Sequence, residues 1–176
     1  MTTEALATMP NHREKRRALW RTARWALLLN AAWEFVQCPI FYEMSALPPL
    51  KAAAGMAGAV LGDAVTVLAL VFIARLLTGW RRLVPLNAAG AAALLAVSFP
   101  ASVLLEWIPR ALSVWEYSAT MPTFRLFGVS LGWLPVAQIT LLPTLSLFFA
   151  MGRVPDESAA VAARGASVNS PKGKGI

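Results

Sequence analysis

The sequence predicts an all-α membrane protein, a polytopic bundle of four transmembrane helices with both termini in the cytoplasm. Three observations predict it. The 176-residue chain is 57% hydrophobic and only 14% charged, whereas a soluble domain of this length carries about a quarter charged residues. Four apolar runs, residues 25–41, 52–77, 83–107 and 127–151, approach or exceed the ~17–25 residues that cross a ~30 Å hydrocarbon core. Thirteen of the sixteen Lys and Arg residues fall on one side of the resulting map. The positive-inside rule makes that side cytoplasmic for a multi-pass protein of a cell membrane.

The elements follow in order. Residues 1–24 form a basic cytoplasmic segment with Arg13, Lys15, Arg16, Arg17, Arg21 and Arg24. Its stretch EKRRALWRTARW is suited to a short interfacial lead-in held by anionic headgroups. The first span opens like a signal peptide. Glu34 and Gln37 follow its short apolar run, however, and no small-x-small cleavage site closes it, so it reads as an uncleaved helix. The second span carries Gly58 and Gly62 as a GxxxG pair, with Gly55, Ala59 and Asp63 as a second small stripe. Close helix packing is the expected use of these glycines. The third and fourth spans contain Pro100, Pro135 and Pro143, each able to free a carbonyl and kink its helix. Trp20, Trp25 and Trp80 fall at the cytoplasmic interface, and Tyr42, Trp107, Trp115 and Tyr117 at the outer one. Residues 25–151 are thus one membrane domain, and the small, polar tail of residues 152–176 is expected to be disordered.

Composition also excludes functions. The basic residues lie beside apolar runs rather than on one face, which argues against nucleic acid despite a pI near 10.5. One cysteine, Cys38, and one histidine, His12, leave no metal motif, and no cofactor fingerprint is present.

The chemistry sits in the polar residues of the spans. At a rise of ~1.5 Å per residue, Glu34 lies about 14 Å from the cytoplasmic end of its span. Asp63 and Gln138 each lie about 16 Å from the outer ends of theirs, so three helices contribute polar groups at one level. Asn30, Glu34 and Gln37 share one helix face, as do Ser98, Ser102 and Glu106. Facing lipid would leave these groups unsatisfied, so they are expected to point inward. With no cation at their level, burial and mutual repulsion disfavour two ionised carboxylates. At least one of Glu34 and Asp63 is therefore expected to hold a proton at neutral pH. The loop EWIPRALSVWEYSATMPTFR is suited either to a lid over the outer mouth or to an aromatic anchor, with Arg110 able to neutralise Glu106 or Glu116.

Four segments, LNAAWEFVQCPIFY, GDAVTVL, EWIPRALSVWEYSATMP and GVSLGWLPVAQITLLPTL, resemble an uncharacterised family of short bacterial four-helix membrane proteins. The resemblance implies that Glu34, Asp63, Glu106, Trp115, Tyr117, Pro122 and Gln138 belong to the family's pattern, and implies no activity. Asn30, Trp33 and Glu34 are also similar to the N-x-x-WE element of the integral-membrane terpene cyclases of fungal meroterpenoid pathways. There an intramembrane acid is thought to protonate an epoxide.

Three functions fit these residues. The first is acid/base chemistry on a lipophilic, isoprenoid-like substrate, with Glu34 and Asp63 catalytic. Asn30, Trp33, Gln37, Gln138, Glu106, Trp115 and Tyr117 then bind substrate, Trp33 through its ring face. The second is a small proton- or cation-coupled transporter, expected as a homodimer. The third is a non-catalytic subunit or assembly factor of a membrane complex, with the polar stripes as helix-helix glue. Membrane lipids are partners in every case.

Overall fold

A computed structural model of the chain describes residues 12–42, 47–79 and 83–151. The readings for the first eleven residues, for Trp80, Arg81 and Arg82, and for the tail lie outside the described residues. Four long helices dominate: α1 His12–Phe41, α2 Pro49–Thr78, α3 Ala88–Ala111 and α4 Trp133–Met151. Between α3 and α4 lies an antiparallel hairpin, β1 Thr123–Leu126 with β2 Val129–Gly132. The hairpin corrects the purely helical expectation.

Three of the helices, α2, α3 and α4, are long and apolar enough to cross a membrane. Helix α1 is not one of them, because its first half is basic and Asn30, Glu34 and Gln37 interrupt its apolar run. The basic lead-in to the first span is helical and continuous with it in α1. The bundle is turned inside out relative to a soluble protein. Asn30, Glu34, Gln37, Glu106 and Gln138 are buried, while Phe35 is 72% and Val65 66% exposed. Polar groups inside and apolar groups outside are what a hydrocarbon solvent requires.

Two helix starts differ from the expected ones. The third span was expected from residue 83, but α3 begins at Ala88, where Asn87 is the N-cap and its side-chain oxygen accepts from Gly90 N at 2.8 Å. An N-cap side chain of this kind satisfies a backbone donor that has no partner inside the helix. The fourth span was expected from residue 127, but α4 begins at Trp133 because the preceding residues pair as β2. Leu126 faces Val129 across a two-residue turn, Phe127–Gly128, with φ of 48° and 81°. Positive φ at both central residues is the geometry that matches the twist of two paired strands. Gly128 adopts it without strain, whereas Phe127 does so as a non-glycine residue. Pro135 lies in the first turn of α4, where its missing N–H has no intrahelical partner to lose, so the kink expected there has no cause.

Two apolar clusters close the basic half of the bundle. Ala26, Ala64, Val67 and Leu142 pack with Leu29 and Trp33, and Val71, Ala74, Leu83, Leu94 and Leu147 form the second cluster. At the other end the loop after α3 is fastened to the C-terminus of α1. Ser118 N donates to Phe41 O at 3.0 Å, and the Ser118 and Thr120 hydroxyls donate to Ile40 O at 3.1 and 2.7 Å. A helix end leaves its last carbonyls unpaired, and this loop supplies their donors.

Candidate functional site

The site is built from α1 outward. An offset of three or four residues keeps Asn30, Glu34, Gln37 and Cys38 on neighbouring turns of one face, and all four are buried. Gln138 of α4 reaches this face from across the bundle. Its Nε2 donates to Asn30 Oδ1 at 3.1 Å, Glu34 Oε1 at 2.9 Å and Asp63 Oδ2 at 2.7 Å. The three groups meet as expected, since one amide nitrogen touches acceptors on α1 and α2 simultaneously, although the helical count from residue 127 fails because α4 begins at Trp133. The other Glu34 oxygen accepts from Cys38 Sγ at 2.7 Å. Glu34 and Asp63 thus share the Gln138 amide as a common donor.

This cluster forms the floor of a cavity of about 610 Å³. Glu34, Gln37, Asp63, Gln138, Glu106 and Trp115 all line it, together with Cys38 and Tyr42. One wall is α2, through Gly55, Ala59, Gly62 and Thr66. A Cβ added at Gly55, Gly58 or Gly62 would meet nothing within 4 Å. The expectation that these glycines allow close helix packing is therefore corrected. None of them touches a neighbouring helix of this chain, and two of them leave width in the cavity.

The far end of the cavity is organised around Glu106. Its Oε1 accepts from Tyr117 OH and, at 3.3 Å, from Trp115 Nε1. Tyr117 OH in turn accepts from Gly132 N at 2.9 Å, which ties β2 to the carboxyl. Arg110 lies near enough for its charge to act on Glu106, as expected, while its hydrogen bonds go to carbonyls. It donates to Trp115 O and, at 3.4 Å, to Ser130 O, and its guanidinium lies 4.5 Å from the Tyr117 ring centroid. Trp107 Nε1 donates to Leu126 O at 3.3 Å. The loop is thus tied to α3 and the hairpin, and Trp115 brings it to the cavity. Burial, reinforced by Glu106, pushes the Tyr117 phenol above its ordinary value. Burial does the same for Tyr42, whose ring meets that of Tyr117 edge-on at 5.8 Å. Both phenols therefore remain hydrogen-bond donors at neutral pH.

Three sequence-predicted residues do not line the cavity. Asn30 lies beneath the floor, its Nδ2 donating to Ala26 O at 2.8 Å and its Oδ1 accepting from Gln138. Tyr117 acts through Glu106. Trp33, expected to present its ring face to a developing cation, instead packs against the Ala26 cluster and donates through Nε1 to Gln37 Oε1. Two contributors were missed. Cys38 carries a signal, its i+4 offset from Glu34. Tyr42 was read as an interface aromatic, and nothing local to it points at Gln37, whose Nε2 donates to its hydroxyl at 3.4 Å. Among the described residues no group of three or more His, Cys, Asp or Glu could hold a metal ion. No known family matches the chain, and no curated protein or solved structure matches it.

Proposed function

We propose that this chain is a bacterial inner-membrane enzyme that performs proton-transfer chemistry on a lipophilic, isoprenoid-like substrate, with α1 as a fourth span and both termini cytoplasmic. The observation that carries the reading is the cavity of about 610 Å³, with Glu34 and Asp63 joined through Gln138 on its floor. That volume suits a small organic molecule.

In the proposed cycle the proton held by the Glu34–Asp63 pair passes to an alkene carbon or epoxide oxygen of the substrate. A cation forms on the substrate, and the pair becomes fully ionised. The Gln138 amide stabilises the new carboxylate through hydrogen bonds already in place. The cation then rearranges or closes a ring, and a proton lost from a neighbouring carbon returns to the pair. Atoms and charge balance without a cofactor, and the net change is an isomerisation or cyclisation. Trp115 takes the cation-stabilising role expected of Trp33, because Trp115 lines the cavity.

Transport through the bundle is the weaker reading. The two apolar clusters lie between the acid pair and the basic end, where a carrier needs polar groups to pass an ion.

The test is a comparison of lipid extracts from a deletion strain complemented with wild type, Glu34→Gln or Asp63→Asn. A lipophilic precursor should accumulate in the deletion and in both variants, and disappear with wild type. An unchanged lipid profile across all strains would remove the enzymatic reading.

A further inference from the structure

A second groove lies apart from the acid pair, at the opposite, basic end of the bundle. Its volume is about 640 Å³, and its walls are the start of α1 and the end of α2. Four cations line it, Arg13, Lys15 and Arg16 from α1 and Arg75 from α2. Its floor is apolar: Leu19, Leu68, Val71 and Phe72. Arg75 lies 5.7 Å from the centroid of the Phe72 ring, so charge and apolar surface adjoin. Arg17, Arg21 and Arg24 belong to the same helix and do not line the groove. Topology needs only the number of positive charges on this side. It does not need four of them gathered from two helices around an apolar trough.

The geometry points to a binding site for an anionic phospholipid of the leaflet at the basic end. The cations hold the phosphates, and the first acyl methylenes lie on Leu68, Val71 and Phe72. A basic pocket between membrane helices is the form that recognises a headgroup with more than one phosphate. Four cations suit a two-phosphate head better than a single phosphodiester. The inference requires the bundle to sit in a membrane but is independent of the acid pair. A catalytically dead protein would still bind.

Native mass spectrometry of the full chain, titrated with cardiolipin in detergent, tests it through two charge-matched variants. Lys15→Gln with Arg16→Gln removes two groove cations, and Arg21→Gln with Arg24→Gln removes two from the same helix outside it. At roughly fivefold per cation, the first pair should weaken cardiolipin binding about thirtyfold. The second should weaken it less than about threefold, and inorganic phosphate should not compete. Equal losses in the two variants would mean diffuse attraction and would overturn the proposal. Competition by inorganic phosphate at millimolar level would overturn the lipid assignment. A cardiolipin affinity no greater than that for phosphatidylglycerol would overturn the two-phosphate preference.

Discussion

Replacing Gln138 by Met removes the donor that connects three helices while keeping nearly the same volume. The Gln138 side chain is 2% exposed, and its amide nitrogen serves three acceptors at 2.7–3.1 Å. An amide carries two protons, so the loss amounts to two full hydrogen bonds shared among three contacts. Interhelical side-chain bonds in membrane proteins average about 0.6 kcal/mol and reach about 1.7. Two of them, with acceptors left in a dry site, give a loss of about 1–3 kcal/mol. Reversible unfolding in mixed micelles, followed by tryptophan fluorescence, measures it. A double-mutant cycle with Asp63→Ala should return a coupling of about 1 kcal/mol, since the two side chains touch. A loss under about 0.5 kcal/mol with no coupling would refute the floor as built, because neither acid would then depend on the amide.

Three further outcomes follow from the geometry. Gly62→Ala should be neutral or stabilising by up to about 1 kcal/mol in thermal unfolding, since the added methyl meets nothing and helix propensity improves. A clear loss would mean that the glycine packs against another copy. Gly132→Ala should destabilise by about 1–3 kcal/mol, because its Cβ would stand 2.9 Å from Pro135 Cδ and 3.2 Å from Met121 Sδ. The Tyr117 phenol is raised by burial and by Glu106. Its contribution is therefore complete below the unfolded value near 10 and is lost as pH climbs from there through the folded value. Wild-type stability measured above about pH 10 should consequently fall more steeply than that of Tyr117→Phe.

Much of the site was legible because helical rise converts sequence position into depth. Glu34 and Asp63 are far apart in the chain, yet a fixed rise per residue puts them near one level and burial cost turns them inward, whereas the count for Gln138 crossed the hairpin and its residues are not helical there. The i+4 faces of Asn30–Glu34 and Ser102–Glu106 were legible for the same reason. What was not legible depends on rotation and on local turns. Depth does not say what Trp33 meets, and its ring packs against the Ala26 cluster rather than lining the cavity. Gly55, Gly58 and Gly62 permit close packing, but composition cannot distinguish a packed glycine from one beside a void. The hairpin was concealed by its own apolarity, since Val129 and Leu131 extend the run of α4. The alternation around Phe127–Gly128 was the available signal.

The loop after α3 gives the Glu106 cluster a structural reason that no single motif supplies. Ser118 and Thr120 close the end of α1, Arg110 holds the loop through carbonyls, and Tyr117 transmits β2 to the carboxyl. A change anywhere in this chain of contacts should therefore alter the mouth of the cavity before it alters the floor.

In the proposed mechanism Glu34 and Asp63 together retain one proton. Infrared titration of the full chain in lipid bilayers reads the protonated carboxyl band directly, with isotope-labelled Glu and Asp to separate the two residues. A protonated carboxyl band should persist above about pH 7, where an ordinary carboxyl is ionised. The band should persist in Glu106→Gln and change in Glu34→Gln and Asp63→Asn. A pair fully ionised by about pH 6 would contradict that mechanism.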